Sequence, residues 1–75
     1  MLTPMRFYLA DRRTFEAGIP HDDVGDDDQE LRNLLAAPVI RHIHRDGRVE
    51  FVVTSNIITV EKVSASPQTL GTVVP

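Results

Sequence analysis

The sequence predicts an α+β fold: a small antiparallel sheet in the order β-β-α-β-β, with one kinked helix packed on one face, in two layers. Three observations predict it. Segments on either side of the middle alternate apolar and polar residues, the period of a strand. One central stretch carries apolar residues at steps of three and four, the period of a helix. A sheet and a helix each present one apolar surface, and stacking them buries both.

The first strand is expected over 5–10, Met-Arg-Phe-Tyr-Leu-Ala, with Met5, Phe7 and Leu9 on one face. Asp11-Arg12-Arg13 reads as a turn, and a weaker strand over 14–17 pairs back on the first. Gly18 and Pro20 end it. Six of the nine residues 22–30 are acidic, so this stretch reads as a solvated loop that runs into a helix start. Asp27 and Glu30 have the spacing of a capping box, and acids suit the positive end of a helix dipole. The helix is expected over 28–44, on Leu31, Leu34, Leu35, Val39, Ile40 and Ile43. Pro38 lacks a backbone donor and crowds the preceding turn, so a kink or a split into two helices is expected there. Asp46-Gly47 ends it. Two segments rich in β-branched residues follow, 49–54 and 57–62, with the polar pair Ser55-Asn56 between them, the pattern of a hairpin. Val49, Phe51 and Val53 share one face, joined by Ile58 and Val60. Residues 1–63 form the expected single domain. Residues 64–75 read as a tail, flexible or ordered only on a partner.

The 75 residues include no Cys and no Trp. Disulfides, thiolate nucleophiles and cysteine-held zinc or iron–sulfur centres are thereby excluded. No apolar run approaches the ~20 residues of a membrane helix. The opening residues lack a charged start followed by an apolar stretch, so no secretory signal is expected and the expected compartment is the cytoplasm. Eight Lys and Arg against eleven Asp and Glu leave a net charge of −3. That balance disfavours nucleic acid and anionic membranes as partners and leaves proteins as the expected class. A domain this small buries a modest share of its surface, so a monomer or a weak homo-oligomer is expected.

The hairpin region carries a resemblance. Ala37-Pro38-Val39, Asp46-Gly47 and Asn56-Ile57-Ile58-Thr59-Val60-Glu61-Lys62 follow one another at the spacing found in the N-terminal domain of Nfu/NifU-type iron–sulfur scaffold proteins, which this segment resembles. Thr3-Pro4-Met5-Arg6-Phe7 looks like a shortened form of that family's opening. The resemblance covers roughly 3–62. It implies an α+β fold, a proline within the helix and a place beside iron–sulfur cluster assembly. Clusters in those proteins are held by Cys-x-x-Cys in a separate domain, so no cofactor and no cluster ligand carry over to this cysteine-free chain.

Few residues suggest chemistry. No nucleophile motif, glycine-rich phosphate loop or paired carboxylate occurs, and no catalytic residue is expected. His42-x-His44 would face one way on a strand and share a metal. On the expected helix the two diverge by about 200°, with His42 solvated, and no metal site is assigned. His21 is a conceivable third ligand. The acidic run departs from the calcium-loop pattern. The leading expectation is a non-enzymatic interaction or accessory domain. Its candidate partner-binding residues are Asp22, Asp23, Asp26, Asp27 and Asp28, with Arg12 and Arg13 as a small basic spot or as charges guarding a sheet edge. An open sheet edge is the other candidate surface. The alternative is a metal-binding accessory protein using the histidines and the acidic loop.

Overall fold

A computed structural model describes residues 1–66 and 69–75. Along the chain lie β1 (Leu2–Leu9), β2 (Thr14–Pro20), α1 (Asp27–Ala36), β3 (Val39–Ile43), β4 (Val49–Val53), a single 3-10 turn (Thr54–Asn56), β5 (Ile57–Lys62) and β6 (Gly71–Val74). The six strands form one sheet in the order β4-β3-β6-β2-β1-β5. β2 and β6 run parallel, and the other neighbours are antiparallel. The expected antiparallel β-β-α-β-β arrangement is therefore corrected to a larger, mixed sheet with one short helix.

The first hairpin forms where alternation placed it. Met5, Phe7 and Leu9 are buried, and β2 is longer than expected, burying Ala17 and Ile19. Its turn closes through Arg12 N–H to Leu9 O at 3.0 Å and Leu9 N–H to Arg13 O at 2.9 Å. Arg12 sits in the left-handed region at φ 72°. The β3–β4 turn repeats this form: Gly47 N–H reaches His44 O at 3.0 Å, His44 N–H reaches Arg48 O at 2.8 Å, and Gly47 has φ +92°. In both turns an aspartate, Asp11 or Asp46, accepts from the backbone and side-chain N–H groups of an arginine two residues on.

The helix expected over 28–44 stops at Ala36. The residue before a proline is pushed out of helical space, and Ala37 is extended at φ −77°, ψ 141°. Pro38 therefore ends the helix instead of kinking it. Beyond it, Val39-Ile40-Arg41-His42-Ile43 alternates exposed and buried and pairs as β3. The N-cap is Asp26, with no side-chain cap bond, so the capping box expected at Asp27 does not form. Asp27, Asp28 and Glu30 do fill the first turn.

The hairpin expected over 49–62 does not form. β4 pairs with β3, and β5 pairs with β1. The two lie at opposite edges of the sheet, about 24 Å apart if it were flat. Only the 3-10 turn joins them, and four peptide steps reach about 14 Å at most. The sheet must therefore curl until its edges meet at this corner. Thr54 fixes the corner from one side, donating its hydroxyl to Ala37 O at 2.6 Å and its N–H to Pro38 O at 3.1 Å. Ala10 fixes it from the other, donating N–H to Asn56 O at 2.8 Å.

The tail expected to be loose carries β6, inserted between β3 and β2. Val73 is buried there. Gly71 lets β6 approach β3, since a Cβ at this position would lie 2.2 Å from Ile43 O. The folded unit thus extends past residue 63; the expectation for Pro67 and Gln68 lies outside the described residues. The curl encloses Met5, Phe7, Ala17, Ile19, Ile40 and Val73, and α1 adds Leu34 from one end.

Candidate functional site

The other end of the enclosed space is an open groove of about 690 Å³. Its walls include Phe15 of β2, His42 of β3, Glu50 and Val52 of β4, and His44, the first residue after β3. Strand alternation sends His42 and His44 to the same side, the arrangement a helix would have denied them. Glu50 is the register partner of His42. An aromatic ladder leads outward from the core: Phe7 stacks on Phe15 at 4.8 Å, Phe15 on His42 at 4.6 Å, and His42 lies 4.1 Å from His44, ring centre to ring centre.

His42 is 5% exposed, which corrects the solvated position expected for it. Burial pushes its pKa down, and the nearby His44 and Arg48 add to that against the opposing pull of Glu50. The ring is therefore neutral at pH 7, and its 3.9 Å approach to Glu50 through Nδ1 is not an ion pair. His44 meets Glu50 Oε1 through Nε2 in a close hydrogen bond. That bond is the main reason the Glu50 carboxyl titrates below the usual carboxylate range. Arg48 Nη2 lies 3.4 Å from His44 Nδ1. An arginine can only donate, so Nδ1 accepts and Nε2 carries the proton given to Glu50.

The reverse face of β4 is different. Val49, Phe51 and Val53 do share an exposed face, with Phe51 70% exposed, and at Phe51 and Val53 the strand also borders the groove. Val39 of β3 continues the patch beside Val53. Among the described residues β4 pairs with β3 alone, so its far side is a free edge.

The residues singled out from sequence are dispersed. Asp27 and Asp28 hold Lys62 of β5 at 2.9 and 3.0 Å. Asp22, Asp23 and Asp26 are exposed. Arg13 is paired with Asp11, and Arg12 is exposed in the turn. Lys62 lies opposite Met5, and Arg12 follows Leu9, so the acidic loop and the basic spot sit about 20 Å apart along β1. His21 bonds Thr3 Oγ1 at 2.7 Å and Asp23 O, at the far end of β2 from Phe15 and His42. Neither His21 nor the acidic loop therefore joins the paired histidines. Sequence reasoning missed Glu50. The signal was present: a turn closed by His44 and Arg48 sets 42 opposite 50.

Compared with family models, with curated proteins and with solved structures, the chain matches none. What the coordinates define is a small curled-sheet domain with one short helix, a free apolar edge and a histidine-lined groove. Among the described residues, no helix is long and apolar enough to cross a membrane.

Proposed function

We propose that this chain is a non-enzymatic interaction module that receives an extended segment of a protein partner along β4. One observation carries the reading: an unpaired edge strand that turns Val49, Phe51 and Val53 outward. Edge strands are ordinarily blunted by lysine, proline or inward charge. β4 has neither lysine nor proline, and its one inward charge, Glu50, is engaged by His44. An added strand would gain backbone hydrogen bonds along the edge, and its alternate side chains would meet the apolar row. The partner segment is thus extended, with apolar residues at every second position. An accessory place beside iron–sulfur cluster assembly and a cytoplasmic location belong to the same reading. The first rests on the sequence resemblance over 3–62.

Selection of peptides from a random library against the full chain tests the proposal. Binders are expected to alternate apolar and polar residues, to shift β4 amides first, and to bind Phe51→Lys at least about tenfold more weakly. Binders that tolerate Phe51→Lys, or that act at the acidic loop, would overturn it. So would a free-protein dimer in sedimentation that Phe51→Lys dissolves, since the occupant would then be a second copy.

A further inference from the structure

His42 offers chemistry that the strand-acceptor reading does not use. Its side chain is 6% exposed. Among the described residues no hydrogen bond reaches its ring. No buried side-chain nitrogen or oxygen lacks a partner among the described residues, so the unbonded ring nitrogens of His42 open on the groove that the ring lines. The unpartnered ring faces two further donors. We propose that His42, His44 and Glu50 bind a divalent transition-metal ion through two imidazole nitrogens and one carboxylate oxygen.

One ligand atom from each residue lies within 4.8 Å of the others. A tetrahedral ion with bonds near 2.0–2.1 Å wants its ligands about 3.3 Å apart. His42 is fixed by its stack on Phe15 and supplies the rigid corner. His44 and Glu50 have exposed side chains of 23% and 55%, which can make the remaining adjustment. The His44–Glu50 pair parts to admit the ion, while His42 is approached by both. His44 gives up its bond to Glu50 and binds through Nε2, its proton passing to Nδ1. Arg48 then leaves Nδ1 and keeps its bond to Asp46, at 2.8 Å through Nε. Two imidazoles and a carboxylate suit zinc and its first-row neighbours better than calcium or magnesium, which prefer all-oxygen sets. The fourth position opens on the groove, where water can fill it.

Titration of the full chain with Zn²⁺, followed by imidazole NMR and calorimetry, tests the site. The expected result is one ion per chain, with His42 and His44 shifting together and His21 unmoved. Co²⁺ should give the intense visible bands of four-coordinate geometry. His44→Ala and Glu50→Gln change side chains that are not buried, and circular dichroism checks that both fold. Each should weaken binding by at least about 100-fold, more than loss of a supporting residue does. His21→Ala should bind as the parent does. Silence at millimolar Zn²⁺, parental affinity in both His44→Ala and Glu50→Gln, or shifts confined to His21 and the N-terminal amine would overturn the proposal.

Discussion

Arg12 occupies a backbone conformation that suits glycine, at φ 72°. Its counterpart in the second turn is a glycine, Gly47. A side chain in the left-handed region costs about 1–2 kcal/mol, part of which a glycine returns as greater unfolded-state entropy. Arg12→Gly is therefore expected to stabilise the protein by about 0.5–1 kcal/mol, and Gly47→Ala to destabilise it by about 1 kcal/mol. Urea unfolding of both variants checks the signs; equal midpoints would show that the two turns do not store the strain assigned to them. At this same scale, Asp27 and Lys62 make the domain's pH response calculable. The Lys62 bond holds the Asp27 carboxyl below its ordinary 3.8, and Asp27, then Asp28, hold the Lys62 ammonium above its ordinary 10.5. The carboxylate's contribution is present above pH 3.8 and is lost as pH falls through the lowered value. The ammonium's is present below 10.5 and is lost as pH rises through the raised one. Lys62→Met is expected to move the Asp27 midpoint back up toward 3.8, read by carboxyl NMR. An unmoved midpoint would mean that the pair does not hold in solution.

At the scale of elements, the corner between β4 and β5 decides the architecture. Thr54 bonds both Ala37 O and Pro38 O, so the end of α1, the start of β3 and the end of β4 converge on one side chain. Thr54→Val keeps the shape and removes the hydroxyl. It should cost about 1 kcal/mol in thermal or urea unfolding, and no loss would show that the corner is held by its backbone bonds alone. Elements were legible where the chain decides them locally. The first hairpin and the acidic helix start were readable from alternation and charge. The segment after Pro38 was not, because Val39, Ile40 and Ile43 satisfy both a helical and a strand count. The deciding fact is that Pro38 forces Ala37 extended. The same ambiguity hides the cluster of His42, His44 and Glu50, since only on a strand do the two histidines face together with Glu50 opposite. The Ser55-Asn56 break has the pattern of a two-residue hairpin turn, but side-chain bonds from Thr54 to a segment 16–17 residues earlier make it a corner. No local pattern announces a partner that distant.

At the scale of the whole molecule, β6 could not be read from its own four residues. Gly71-Thr72-Val73-Val74 is short and follows a run of Pro, Ser and Thr. It is a strand because β2 and β3 leave a gap of one strand's width between them and Gly71 lets it in against Ile43 O. It joins the two halves of the sheet through a parallel ladder with β2 and an antiparallel one with β3. A chain ending at residue 70 should lose the cooperative thermal transition seen by circular dichroism, because a domain of this size has little stability to spare. A truncated chain that still melts sharply would mean that the two halves associate without it.

That placement also fixes an order of events during synthesis. The strand that joins the two halves of the sheet comes after the other five along the chain, so both halves are made before the element that ties them together. Both nascent halves would meanwhile expose ladder edges that the finished domain hides. Such intermediates are prone to pair with the wrong chain, and crowded expression should therefore favour aggregation more than the size of the domain suggests.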